Sequence, residues 1–595
     1  MKSASKAPPV HYRVEVADLY AHLYRVTLTV AEPAAQQRVS LPVWIPGSYL
    51  VREFSRSLQN LRATQGTRAA TLRQLDKCSW QVECVPVKPL VLIYEIYALD
   101  PSVRTAWLDL SRGFFNGTSL CLRVEGQEDQ VHGLELVASE TIAHWEVATP
   151  ATAQRVDKKG FGSYLATSYD ELVDCPVEMG TFRSGSFAAH GVPHRFVVAG
   201  APASFDFERL LADAQKICDA EIRLWHGLAA KGARARAPHK GYLFMLNAVD
   251  DGYGGLEHRN GTALICNRRD LPRLSEKKPP DGYATLQGLI SHEYFHTWNV
   301  KRLRPVEFTR YDYTQENYTQ LLWFFEGFTS YYDDLLLRRA GLVDDAGYLR
   351  LLNKTINQVL QAPGRKLQSV AQASFDAWVK YYRVDENTPN ATVSYYTKGA
   401  LVALCFDLTL RLEGKITLDH VMRALWQRCQ AGPMTESDFA AVLQELGGRK
   451  FTKEIAQWVH GTRDLPLQDL LERHGVAVLA EPAQLAQRLG LRVSETNGIQ
   501  IKTVLRGGAA ERAGLAAGDE WLGIEVGTRA AATGWRMSKL DELLLYAGPA
   551  RKVTVIAARD KRLLRLALSL PPAVTTWRLA LRDAALVKPW LAPQD

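Results

Sequence analysis

The chain is 595 residues long, 47% apolar and 23% charged, with 14 tryptophans and a formal charge of +8. That length exceeds what one hydrophobic core serves and predicts three or four domains, while the apolar content excludes overall disorder. The charge is modest for the size and forms no long Lys/Arg block, which argues against nucleic acid as a partner.

The first residues, MKSASKAPPV, contain no apolar stretch long enough for a signal segment, and no window approaches the ~18 apolar residues of a membrane span. The eight cysteines are scattered without a C-x-x-C pair. They read as reduced, mostly buried thiols, and the expectation from these features is a cytoplasmic protein with no membrane association. Nothing in the sequence sets the oligomeric state.

From about residue 10 to 165 the pattern alternates. Tyr12–Val16 and Tyr24–Val30 place apolar residues at every second position, and Val91–Tyr97 is a denser run. Gly, Pro and Asp clusters between them predict an all-β, sandwich-like domain over 1–168. The period then lengthens. Residues 205–225 read as an amphipathic helix, two strands follow at 242–246 and 262–266 around a Gly-rich turn, and helical signals dominate to about 475. This predicts a mainly helical α+β domain over 169–480. Short strands around glycine turns return from about 485, marking a third domain over 481–595.

The chemistry concentrates at Ser291-His292-Glu293-Tyr294-Phe295-His296. On a helix, residues four apart share a face, so His292 and His296 can present two imidazoles to one Zn²⁺. Glu293 is then placed to act as general base on a water, the arrangement of a zinc peptidase. A catalytic zinc needs a third protein ligand. The metzincin position for it holds Arg302, which excludes that class. Glu326 is the preferred candidate, because a lone carboxylate inside Leu321-Leu322-Trp323-Phe324-Phe325-Glu326-Gly327-Phe328 costs several kcal/mol unless paired or metal-bound. Glu307, Asp312 and Glu316 are weaker rivals in polar, loop-like surroundings.

H-E-x-x-H followed by a glutamate in an E-G-F segment resembles the gluzincin, thermolysin-like peptidases. The long linker between the two, the block His292-Glu293-Tyr294-Phe295-His296-Thr297-Trp298-Asn299-Val300-Lys301-Arg302-Leu303-Arg304-Pro305, and the stretch Trp44-Ile45-Pro46-Gly47-Ser48-Tyr49-Leu50-Val51-Arg52-Glu53-Phe54 together resemble the glycyl aminopeptidase family. The resemblance implies a β domain, a thermolysin-like catalytic domain holding one Zn²⁺, and a PDZ domain. It also implies that Gly254-Gly255-Leu256-Glu257-His258 is an exopeptidase segment, with Glu257 gripping the substrate's α-amine and Gly254 and Gly255 letting an edge strand approach the peptide. His258 departs from the asparagine usual there. Ser394-Tyr395-Tyr396-Thr397-Lys398-Gly399 resembles a Y-E-K-G segment whose tyrosine stabilises an oxyanion; aligned on Lys398-Gly399 that residue is Tyr396, with Tyr395 as the rival.

The stretch 487–572 resembles PDZ domains of bacterial proteases, where a peptide C-terminus can be captured beside a strand edge; a purely structural role is equally open. The expected function is a zinc aminopeptidase acting on peptides with small N-terminal residues, glycine or alanine. The alternatives are a zinc endopeptidase that captures substrate C-termini through its PDZ domain, and a non-enzymatic peptide-binding protein.

Overall fold

The computed structural model describes residues 8–227, 237–414, 416–528, 531–572 and 575–592. Residues 1–7 of the N-terminal stretch read above lie outside them. The alternating runs form strands Val10–Asp18, Leu23–Val30 and Leu90–Tyr97, neighbours in an eight-stranded sheet. In Leu23–Val30 every second residue, Tyr24, Val26, Leu28 and Val30, is buried, the signature of a strand with one face on a core. Two four-stranded sheets complete the sandwich around a shared core that includes Tyr12, Trp80, Trp145 and Val177. Strand Val177–Gly180 pairs with Arg112–Phe115 and with Glu146–Ala148, so the chain stays in this domain beyond 168. We propose its end near residue 181.

The second domain is built on a five-stranded sheet in the order Arg183–Ala189, Val192–Ala199, Tyr242–Val249, Gly261–Asn267, Gly254–His258. The last of these is the edge strand and runs antiparallel to its neighbour. The helix expected at 205–225 forms as Phe207–His226, and Asp206 starts it by accepting from Arg209 N at 3.1 Å. Histidine helix Tyr283–Phe295 is buried on nearly all sides, packs against the edge strand, and is followed by Gly327–Arg339 and Thr397–Leu412 in one continuous core.

The first two domains are fastened by an ion pair in which the lysine is buried and the aspartate half-buried. Lys301 Nζ donates to Asp174 Oδ1 at 2.7 Å, and His258 Nδ1 lies 3.2 Å from the same oxygen. Burial works to raise the Asp174 carboxyl, but Lys301 and His258 hold it well below the usual carboxylate range. His258, whose role the sequence leaves open, therefore faces away from the catalytic cleft onto this junction. Asp174→Asn leaves Lys301 buried without a counter-charge and is expected to destabilise the protein by about 3 kcal/mol, read as a lowered urea midpoint. The depressed carboxyl contributes stability that is present above its unfolded value and lost as the pH falls through the folded one. The urea-midpoint difference between wild type and variant should accordingly narrow in acid.

The third domain is a β domain with its own core around Ile499, Trp521, Leu543 and Val555. Its main sheet runs Leu491–Ser494, Ile499–Val504, Glu520–Val526, Lys552–Arg559, Arg562–Ser569. Within the span 481–595, expected as one domain, the segments differ in what they pack against. Val476–Pro482 pairs antiparallel with Thr575–Leu581, and this ribbon hangs on the catalytic domain: Asn357 Nδ2 donates to Trp577 O at 2.7 Å and Trp577 N donates to Asn357 Oδ1 at 3.0 Å. Helix Ala584–Leu591 then sinks Val587, Trp590 and Leu591 into the catalytic core, where Trp590 Nε1 donates to Tyr331 OH at 3.0 Å. We propose to assign residues 575–592 to the catalytic body. The molecule is thus a multidomain α+β protein: a β-sandwich, a mainly helical domain and a C-terminal β domain. Six of its eight cysteines are buried and none is in a disulfide. Among the described residues no helix is long and apolar enough to cross a membrane.

Candidate active site

The histidine helix ends at Phe295, and His296 follows as its cap with helical backbone angles (φ −60°, ψ −17°). His292 and His296 are thereby held one turn apart on one face, ring centroids 4.7 Å from each other. Glu326 reaches them from the break between two helical segments, Leu322–Phe325 and Gly327–Arg339. Its Oε2 lies 3.6 Å from His292 Nε2 and 3.2 Å from His296 Nε2. One ligand atom from each of the three falls within 4.8 Å of the others, a group able to hold a metal ion. The rivals sit elsewhere: Glu307 accepts from Thr319 Oγ1, and Asp312 organises its own loop through Thr314 and Gln315. Glu316 forms no part of this group.

Both imidazoles are oriented by their far nitrogens. His296 Nδ1 lies 2.7 Å from the carbonyl of Asn299, which can only accept, so that nitrogen carries the proton and Nε2 presents a lone pair. His292 Nδ1 lies 3.0 Å from Asp333 Oδ2. Asn299 is itself clamped, donating through Nδ2 to Phe325 O at 3.1 Å and Thr329 Oγ1 at 3.2 Å. The next residue, Val300, has φ +115°, a strained setting for a β-branched side chain that helps aim the Asn299 carbonyl. Two histidines with free Nε2 atoms around a buried carboxylate are the donor set of a catalytic zinc site, so the residues fit that ion. Burial works to raise the Glu326 carboxyl, yet the two imidazoles hold it down at about 2. Asp333→Asn is expected to weaken metal affinity about 10- to 100-fold with the fold intact, measured by competition with a chromogenic chelator.

Glu293, next to His292 in the chain, points against the edge strand beside the histidine pair. A Cβ on Gly255 would lie 2.1 Å from Glu293 Oε1, so only glycine leaves room for the carboxylate there. Glu293 Oε2 is buried with no hydrogen-bond partner. Burial pushes this carboxyl up to about 7, against the pull of His292. Two residues along the same strand, Glu257 is buried and its Oε1 also lacks a partner. The N-terminal domain closes over it: a Cβ on Gly47 would lie 2.5 Å from that carboxylate, and Gly47 adopts φ +92°. Tyr49 from the same loop donates to Glu326 Oε1 at 3.4 Å.

Tyr396 and Glu326 are drawn together by a helix crossing without side chains between. A Cβ on Gly327 would meet the Gly399 Cα at 2.5 Å, so the E-G-F and K-G motifs touch at their glycines. The Tyr396 ring lies 6.1 Å from that of His292, and its hydroxyl is 3.0 Å from Tyr382 OH. Tyr395 is fully buried, stacks on Tyr396 at 4.7 Å, and its hydroxyl finds no partner.

A family model described as M61 glycyl aminopeptidase matches residues 285–402, and one for the Peptidase M61 N-terminal domain matches residues 11–181. The crystal structure of an aminopeptidase N family protein from Idiomarina loihiensis is 35% identical with a TM-score of 0.91, over 98% of this chain and 100% of that one. The chain belongs to the M61 glycyl aminopeptidase family. This M61 protein is accordingly a metallopeptidase. An M1 zinc metallopeptidase from Deinococcus radiodurans aligns at 13% identity and TM-score 0.46, over 77% of this chain and 94% of that one. Curated protein sequences include no significant match.

The M61 site also contains residues to which the sequence reading gave no role: Tyr49 and Asn299, which lie inside the quoted motif blocks, and Asp333 and Tyr382, which lie outside them. Only Asp333 carried a usable signal, since it lies seven residues after Glu326 and therefore on the same helix face.

Proposed function

We propose that this protein is a zinc aminopeptidase, one Zn²⁺ per chain, that removes small N-terminal residues such as glycine or alanine from peptides. His292, His296 and Glu326 would hold the ion. Zinc, when bound, supplies Lewis acidity, lowering the pKa of a water and polarising a carbonyl. Glu293 takes a proton from the attacking water and returns it to the leaving amine, a role suited to a carboxylate with one oxygen lacking any protein partner. Tyr396 donates to the developing oxyanion, with Tyr382 orienting its hydroxyl.

The observation that carries the exopeptidase reading is Glu257. A buried carboxylate oxygen without a partner is costly unless a cation arrives, and it lies two residues from the glycine that touches Glu293. The α-amine of a peptide laid on the edge strand is that cation. Gly47, which closes over Glu257, leaves little space beside it and supports a preference for small first residues. Acetylating the substrate's amine tests this: a free Gly-peptide should be cut at least about a hundredfold faster than its acetylated form. Equal rates would mean that Glu257 reads no amine and would favour an endopeptidase.

The two tyrosines are separated by a pair of variants. Tyr396→Phe is expected to lower kcat about a hundredfold with little change in KM, whereas Tyr395→Phe should act mainly on stability. We also propose a PDZ-like peptide site for the C-terminal β domain. A cavity of about 900 Å³ is lined there by Leu491, Val493, Leu505 and Leu540, with Gln361 and Trp577 on the catalytic side. Titration with a peptide bearing a free or an amidated C-terminus tests it: tighter binding of the free acid supports the site, and no binding of either ends it. A cytoplasmic location remains part of this reading.

A further inference from the structure

Arg104 belongs to the N-terminal sandwich, yet it works in the cleft. Its Nη2 donates to the carbonyl of Gly255 at 2.8 Å, and a Cβ on Gly254 would lie 3.6 Å from its Nη1. The guanidinium therefore covers the two glycines that open the edge strand, and Gly255 carries Glu293 against it. Its positive charge acts on both Glu293 and Tyr382. Arg104 Nε is buried and donates to nothing. Arg52 stands close behind; burial first, then the charge of Arg104, push its guanidinium down to about 10. Among the described residues neither arginine forms an ion pair with a carboxylate. Asp100 offsets part of the Arg52 charge and Glu293 feels that of Arg104, but two partly desolvated like charges side by side still cost stability, and a ligand anion hydrogen-bonded between them lowers that cost.

The distances along the strand say where that anion lies. Glu257 and the Gly254–Gly255 pair are two to three residues apart, roughly 7–10 Å at about 3.3 Å per residue. An extended peptide has the same rise, so one whose amine meets Glu257 reaches Arg104 after two or three residues. There the strand's outward carbonyl is already taken, and a longer peptide cannot continue a regular ladder past Gly255.

We propose that Arg104, supported by Arg52, binds the free α-carboxylate of the substrate, so that this aminopeptidase selects di- and tripeptides over amidated or longer chains. The span rests on the reading of Glu257 as the amine's partner. The test compares Gly-Ala-Ala with its C-terminal amide on the metal-loaded full chain. The free acid should exceed the amide about tenfold or more in kcat/KM. In Arg104→Gln the acid-to-amide ratio should collapse to within about twofold of one, with Arg52→Gln moving it partway. Calorimetric titration of Glu293→Gln with the same two peptides should give the same preference without turnover. If Arg104→Gln does not fold, Arg104→Lys keeps the charge without the fork and should lower the ratio. Equal values for acid and amide in the wild type, or a ratio unchanged by Arg104→Gln, overturn the proposal. An N-acetyl version of each peptide separates the two readings. Loss of the amine preference with retention of the acid preference condemns Glu257 and leaves Arg104 standing.

Discussion

Replacing Glu293 by glutamine is expected to lower kcat about a thousandfold while metal content stays at the wild-type level. The substitution keeps the side chain's size, so it still fits against Gly255, whose missing Cβ is what admits it. It removes the only feature that matters for moving a proton, since an amide cannot accept one from water at neutral pH. KM should stay within about threefold of wild type, because in the proposed role the carboxylate acts in the transition state rather than in binding peptide. Single-turnover hydrolysis of Gly-anilide, with zinc measured by atomic emission on the same sample, separates the two effects. A variant that keeps its zinc and its rate would remove Glu293 from the chemistry.

Removing Glu326, the proposed third ligand, acts differently. Glu326→Ala should leave less than about a tenth of an equivalent of metal after dialysis, with activity below detection. Two imidazoles alone do not complete the coordination that a catalytic zinc requires. The loss should spread beyond the ion, because Tyr49 OH donates to this carboxylate and joins the sandwich to the catalytic domain. A lower Tm is expected even in chelator-treated protein, where wild type and variant both lack metal. Excess zinc should restore little rate to Glu326→Ala, whereas Asp333→Asn, which only loosens the orientation of His292, should recover.

How much of this was legible beforehand depends on how far each interaction reaches along the chain. His292 and His296 are one helical turn apart, and helix period alone puts them together. Glu326 was legible for a different reason: a carboxylate amid Trp323, Phe324, Phe325 and Phe328 has to be compensated by something. Asp333 shares a face with Glu326 and could have been read the same way. Asn299 could not, because the group it offers His296 is a backbone carbonyl, and every residue has one. Arg104 and Tyr49 meet residues 151 and 277 positions away, respectively, at a junction of two domains. No local period encodes that pairing, although the Trp44–Tyr49 stretch stood out by resemblance. The strand at Val177–Gly180 was missed because a four-residue buried strand lacks enough alternation to register.

With residues 575–592 assigned to the catalytic body as proposed, the pairing of Val476–Pro482 with Thr575–Leu581 makes that body discontinuous in sequence. Pro482 and Thr575 are direct partners, which puts their Cα atoms about 5 Å apart, close enough for a two-residue turn to join them. On that assignment the C-terminal β domain is an insertion in a hairpin. A stop codon placed anywhere between 483 and 574 would strip Trp590 and Val587 from the catalytic core as well. An inactive truncation of that kind would report a broken core and carry no information about peptide capture by the inserted domain. Excising 483–574 and closing the hairpin is the deletion that asks the question.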